Sequence, residues 1–235
     1  MDASSLSSEQ LEQYDRDGWT VLPGLLSRDE TAAISAEADR LVDHQPSHTP
    51  TGWVFGLHSQ DDLCQQIARD PRVVTPVQQL VGPGVSIHSS KLVTKLAQDA
   101  TQCNWHQDEA FYSDTEDPAM LSGCRMSIWI PLQDVDQDNG CLYIVPGSHR
   151  WGLDPYELVG EGHCRRQVLR TDLADEQCMA VPLSAGDCLF FSAYLWHHSK
   201  GNASDELRRA FIVSYQEARV PRNAYGDPAE VLVPG

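Results

Sequence analysis

The residues that could carry chemistry fall in two short segments. The first is Cys103-Asn-Trp-His106-Gln-Asp108-Glu-Ala-Phe-Tyr112. In an extended strand, residues two apart project to the same face, so His106 and Asp108 converge where adjacent residues would diverge. One imidazole and one carboxylate on a common face supply two of the three ligands of a facial iron(II) site, which leaves coordination positions open. Alone the pair is a weak signal, because a surface strand can carry both residues without a metal. The third ligand must come from a distant strand. The run Asp187-Cys-Leu-Phe-Phe-Ser192 leads into Leu195-Trp-His197-His198-Ser199. Only one of these adjacent histidines can point inward if the segment is extended.

The residues that follow separate the two. The run His197-His-Ser199-Lys-Gly-Asn202-Ala-Ser204-Asp-Glu-Leu-Arg208 resembles the signature of the phytanoyl-CoA dioxygenase family, H-x-S-x-x-N-x-S-x-x-x-R. Trp105-His106-Gln-Asp108 is similar to the family's first ligand motif. Asn139-Gly-Cys-Leu-Tyr143 with Pro146-Gly-Ser-His149 resembles its turn between barrel strands. The resemblance runs from about Leu11 to Tyr215. It implies that His106, Asp108 and His197 hold Fe(II) and are the catalytic centre, with 2-oxoglutarate as cosubstrate and O2 as oxidant. It also implies that Arg208 pairs with the distal carboxylate of 2-oxoglutarate, helped by Ser199. Lys95 stands at the spacing of a family lysine near that molecule, and Trp129 where the family places a cosubstrate contact. Physics agrees for Arg208, since a guanidinium offers a carboxylate a planar bidentate fork that a lysine cannot reproduce.

The implied reaction is hydroxylation of an unactivated C–H of a small molecule, natural-product or amino-acid-like, with release of succinate and CO2. Related halogenases lack the carboxylate ligand; Asp108 is present, which favours an oxygenase outcome. Two other readings keep the same fold: a zinc-loaded hydrolase and a catalytically silent ligand-binding protein. Arg208 and its Asn202/Ser204 neighbourhood argue against the first, and the intact ligands with Arg208 against the second. Phe55 and His58, in the apolar loop Gly52-Trp-Val-Phe55-Gly-Leu-His58, and Phe111 and Tyr112 are candidate substrate contacts. Trp53 and Phe55 could equally pack under that loop. His198 reads as a solvent-facing neighbour of the ligand. His44, His48, His88, His149 and His163 read as structural or surface residues, and Arg165-Arg166 as a solvated pair that could also meet an anionic substrate.

Positioning such a site requires a barrel. The N-terminal third carries helix signals. Ser7 and Gln10 form a capping box before a short helix that Gly18 ends, and Ser27 with Glu30 opens an Ala-rich helix to about Asp43. His44 to Thr51 reads as a loop. Asp61–Ala68 and Pro71–Val81 read as helices, the second starting on Pro71 and stopped by Gly82-Pro83-Gly84. Short β-type runs follow: Val85–His88, Leu92–Leu96, Met126–Leu132, Cys141–Val145, Val168–Leu169, Cys178–Val181, Asp187–Phe191 and Phe211–Tyr215. The expected fold is mainly β with a helical N-terminal third. It is a double-stranded β-helix (jelly roll, cupin-like) flanked by α-helices, a single domain with helical support over about 1–83 and its core over about 84–216.

The chain has 235 residues, enough to bury a core without staples, and 41% are hydrophobic. A net charge of −17 repels the phosphates of nucleic acid and of anionic membranes, so neither is expected as a partner. The same charge weakly favours cationic or zwitterionic substrates. The polar start MDASSLSSEQ shows no signal peptide, and no apolar run reaches spanning length. The seven scattered cysteines form no CxxC and suit free thiols in a reducing cytoplasm. The expected partner is a small-molecule substrate, free or carrier-protein-tethered, bound by a monomer or homodimer.

Overall fold

The computed structural model describes residues 5–44, 52–112, 117–121, 123–160, 165–169 and 177–235. His48, His163, Cys164 and the loop over 45–51 lie outside the described residues.

Helix α1 (Ser8–Asp17) starts where the Ser7 hydroxyl accepts from the Gln10 N–H while the Gln10 side chain accepts from the Ser7 N–H. It ends at Gly18, whose left-handed φ of 83° lets its N–H reach the Tyr14 carbonyl. Strand β1 (Trp19–Leu22) follows, then α2 (Arg28–His44), capped by the reciprocal Ser27–Glu30 bonds. Next come β2 (Val54–Phe55), α3 (Leu57–Gln60), α4 (Asp62–Ala68) and α5 (Pro71–Val81). The Asp61 and Asp70 side chains cap α4 and α5.

The β region comprises β3 (Val85–Lys95), β4 (Cys103–His106), β5 (Arg125–Pro131), β6 (Leu142–Ile144), β7 (Tyr156–Leu158), β8 (Arg166–Val168), β9 (Met179–Val181), β10 (Cys188–Ser192), β11 (His197–Ser199), β12 (Arg208–Glu217) and β13 (Glu230–Val233). Short helices α6 (Glu109–Tyr112) and α7 (Pro118–Leu121) lie between β4 and β5. The major sheet has the order β1-β10-β5-β12-β3-β13, with β2 also on β3. The minor sheet runs β4-β11-β6-β9, and β7 pairs with β8. All pairings are antiparallel. This is the expected jelly roll with helices against one face.

Two departures from the sequence reading bear on the site. Val85–His88 and Leu92–Leu96 are one eleven-residue strand, β3. The intervening Ser89-Ser90-Lys91 is polar because it faces a cavity, so composition there does not mark a turn. Strand β4 ends at His106. Asp108 therefore lies in the turn that opens α6, and its carbonyl accepts from the Phe111 N–H.

Strand alternation builds two apolar layers. Ile128, Ile130, Phe211 and Val213 face the helices and pack with Leu26, Ile34, Val73 and Val77. Trp129, Ala210 and Ile212 face the other way and pack with Leu142, Ile144, Leu189 and Phe191 between the sheets. Arg208 and Arg209 split the same way. Arg209 reaches α2, donating to the Ser35 carbonyl at 3.0 Å and to Asp39 at 2.5 Å.

Among the described residues no helix is long and apolar enough to cross a membrane. Cys64, Cys124, Cys141 and Cys188 are thiols, but Cys103 is disulfide-bonded, which corrects the expectation of thiols throughout.

Candidate metal centre and cosubstrate pocket

Antiparallel pairing of β4 with β11 sets His106 directly opposite His197. Their ring centroids lie 4.1 Å apart, and both Nε2 atoms face Asp108 Oδ1, at 4.0 Å from His106 and 3.8 Å from His197. One donor atom from each of the three residues lies within 4.8 Å of the others.

The rings are already oriented. His106 Nδ1 is 2.6 Å from the Asn104 carbonyl, and His197 Nδ1 is 2.9 Å from the Leu195 carbonyl. A carbonyl can only accept, so each Nδ1 carries the proton and each Nε2 presents a lone pair. Burial pushes the His106 imidazole down to about 3, and the neighbouring His197 adds to this. Burial also lowers His197. For Asp108, burial would raise the carboxyl, but the Lys91 ammonium, the two imidazoles and a Ser127 hydroxyl bond hold it down to about 2. Two neutral imidazoles and an ionised carboxylate are the donor set that iron(II) takes. The residues present fit the ion.

The Asp108 turn is pinned from both sides. Buried Gln107 donates to the Gly152 and Tyr194 carbonyls and accepts from the Asp154 N–H. The Glu109 N–H donates to the Ala193 carbonyl, and the Glu109 carboxylate meets Arg125 at 2.8 Å. Both Glu109 and Arg125 are fully buried, and burial outweighs the ion pair, raising the Glu109 carboxyl to about 7.

Arg208 and Lys95 are register partners across β12 and β3. Arg208 is 1% exposed and Lys95 3%, yet neither forms an ion pair among the described residues. Arg208 Nη2 donates to the Gly140 carbonyl at 2.9 Å, while Nε and Nη1 have no partner. Burying an unpaired guanidinium costs several kcal/mol, roughly, which an incoming carboxylate would recover. Burial lowers Arg208 to about 10, and burial with the Arg208 charge lowers Lys95 to about 7. Trp129 lies 5.6 Å from the guanidinium carbon, and Ser199 shares the buried face of β11 with His197. These groups fit the distal carboxylate of 2-oxoglutarate.

The signature residues between His197 and Arg208 build the connecting loop. Asn202 donates to the Leu96 and Glu206 carbonyls and accepts from Ser204, tying the loop to the end of β3. Gly140 has φ +89°, and a Cβ there would lie 3.1 Å from the Lys200 and Gly201 carbonyls and from Lys95 Cδ. Only glycine fits this junction while aiming its carbonyl at Arg208.

Beside the triad lies a cavity of about 270 Å³, whose lining includes His106, Asp108, Phe55, Phe111, Tyr112 and Lys91. Phe111 stands edge-on to His106 at 5.8 Å. The Tyr112 hydroxyl bonds Ser214, which bonds Ser127. His58 is not on the lining. It is buried against Ser90, 2.7 Å from that hydroxyl, and stacks beside Tyr225. His198 points away from the triad, half-buried between Trp105 and Tyr143 rather than solvent-facing. Sequence reasoning missed Lys91, Ser127 and Tyr225. Lys91 had a signal, since it shares a face with Lys95 once β3 is read as continuous.

The fold and this site define a mononuclear iron(II)- and 2-oxoglutarate-dependent oxygenase. The phytanoyl-CoA dioxygenase (PhyH) profile matches residues 14–210, and the chain belongs to that family. The chain is 26% identical to an ectoine dioxygenase of Bordetella bronchiseptica, over 91% of this chain and 76% of the relative. It is 27% identical to an L-proline trans-4-hydroxylase of Streptomyces griseoviridis, over 86% and 84%. Among solved structures it resembles the epimerase SnoN in complex with Fe3+, alpha ketoglutarate and nogalamycin RO. That likeness has TM-score 0.72 and 26% identity, covering 89% of this chain and 83% of the other. EctD from S. alaskensis, solved with 2-oxoglutarate and 5-hydroxyectoine, shares the fold, with TM-score 0.75 at 23% identity over 94% and 79%.

Proposed function

We propose that this single-domain chain hydroxylates an unactivated C–H of a small molecule, with His106, Asp108 and His197 as the iron ligands. Arg208 binds the distal carboxylate of 2-oxoglutarate, with Ser199, Lys95 and Trp129 around it. Iron(II) and 2-oxoglutarate together supply dioxygen activation coupled to decarboxylation of the cosubstrate to succinate and CO2. The protein's own part is to orient three donors, hold the far end of the cosubstrate and keep the cavity dry. The observation that carries this reading is the pairing of a preoriented His/Asp/His triad with a buried guanidinium that lacks an anion. A zinc hydrolase has no use for that guanidinium.

An amino-acid-like or natural-product substrate is supported by the relatives that act on ectoine and L-proline and by SnoN. The cavity is small for a drug-sized ligand, which favours a free small molecule over a bulky thioester, although a carrier-tethered one is compatible. Cytoplasmic action by a monomer or homodimer completes the reading. The thiols at Cys64, Cys124, Cys141 and Cys188 support that location, and the Cys103 disulfide runs against it.

Anaerobic addition of Fe(II) and 2-oxoglutarate should give a weak visible charge-transfer band. Tight zinc binding with no such band would overturn the assignment.

A further inference from the structure

The substrate side of the triad carries positive charge of its own. Lys91 lines the cavity with His106 and Asp108, and among the described residues it makes no hydrogen bond or ion pair. Arg166 lines the same cavity, its guanidinium carbon 4.6 Å from the Phe111 ring centre and 4.7 Å from that of Tyr156. One arginine nitrogen is anchored on the Ala110 carbonyl at 2.8 Å. Among the described residues Asp108 is the sole carboxylate on the lining, and it is committed to the triad.

Lys91 is set apart from the Lys95–Arg208 pair. It lies four residues from Lys95 on β3, roughly 13 Å along the strand. The cavity that contains it includes neither Lys95, Arg208 nor Trp129. The other walls are Trp53, Phe55, Phe111 and Tyr225, flat and largely apolar. Tyr225 is supplied by the segment after β12, beyond the residues the family profile matches. Its hydroxyl donates to the Ser90 carbonyl at 3.1 Å, which fixes the ring over the cavity.

Resting on the oxygenase reading, we infer that the substrate is a small anionic molecule, its acidic group held by Lys91 and Arg166 and its apolar body against the aromatic walls. This is opposite to what the chain's net charge of −17 suggests, because the field inside a cleft is set by the charges that line it. The two cations give the acidic end charge-assisted hydrogen bonds, and the aromatic walls leave the far end to face the iron ligands.

The test is calorimetric binding to protein loaded with Fe(II) and 2-oxoglutarate without oxygen. The probes are matched pairs: phenylacetate against phenylacetamide, indoleacetate against indoleacetamide, and phenyl phosphate against phenol. Each anion should bind roughly tenfold or more tighter than its neutral partner. The order of phenylacetate and phenyl phosphate then identifies the acid preferred. Lys91→Met should abolish the preference while the protein still gives the oxoglutarate charge-transfer band, and Lys91→Arg should retain it. Failure of every anion to bind, equal binding within pairs, or a preference that survives Lys91→Met overturns the inference. Loss of oxoglutarate binding in Lys91→Met also overturns it, by placing that residue with the cosubstrate. Failure of the wild-type protein to give the charge-transfer band is the separate failure of the oxygenase reading.

Discussion

The Ser127 hydroxyl donates to Asp108 Oδ2 at 2.7 Å, so the carboxylate presents its other oxygen, Oδ1, to the two histidine Nε2 atoms. Ser127 sits on β5 and Asp108 in a turn after β4, and the bond is buried. Ser127 is thus a positioning residue for the metal centre. Ser127→Ala should weaken Fe(II) affinity roughly 10–100-fold, the usual effect of losing a partner that orients a metal ligand. Metal titration checks this, and Ser127→Thr should recover most of it. Unchanged affinity in Ser127→Ala would show that the turn alone holds Asp108.

Arg208 should govern the cosubstrate and not the metal. Arg208→Met removes a charged fork whose Nε and Nη1 await a partner, and oxoglutarate binding should weaken by roughly 100-fold. Arg208→Lys should also bind poorly, since an ammonium cannot reproduce the fork. Gly140→Ala should give a smaller loss by disturbing the carbonyl that holds Nη2. Fe(II) titration of the same variants should match the parent; equal loss of metal would mean that Arg208 is structural.

Lys95 makes oxoglutarate binding depend on pH. Its ammonium is lowered from 10.5 to about 7 by burial and by Arg208. In the folded protein at about pH 8 it is mostly neutral, whereas a bound carboxylate favours the charged form. Binding should therefore take up a proton, and affinity should fall as pH rises above about 7. For stability the sign is the reverse. Between about 7 and 10.5 the unfolded chain holds a proton on Lys95 that the folded chain lacks, so this residue's contribution improves with rising pH across that window. Calorimetry in two buffers of different ionisation enthalpy reads the uptake, and Lys95→Met should remove it.

The Glu109–Arg125 pair should matter for folding near the site. Arg125→Met leaves a buried carboxylate without its cation and should cost about 3–5 kcal/mol at neutral to alkaline pH. The Glu109 carboxyl already sits near 7 in the intact protein, so the loss should shrink as pH falls and the group protonates. Glu109→Leu combined with Arg125→Met should restore much of the stability. Urea unfolding at two pH values checks both statements; a pH-independent loss would mean that Glu109 stays ionised.

By itself the sequence determined the local devices and the candidate iron ligands. The caps at Ser7 and Ser27, the helix starts at Asp61 and Pro71, and the alternation in β5 and β12 depend on neighbours within a few residues, so they are legible in one dimension. The spacing from His197 through Asn202 to Arg208 is equally local, because the loop folds on its own hydrogen bonds. Only the tertiary structure decided what depends on distant strands. Pairing of β4 with β11 set His106 against His197 although Asp108 had left the strand. The polar stretch Ser89–Lys91 looked like a break in β3, yet pairing with β12 on one side and β2 on the other keeps it extended. That pairing places Lys91 on the wall of the cavity beside His106 and Asp108. A side chain's exposure is a property of what packs over it, and here the covering groups come from β4, β8 and the chain's last segment.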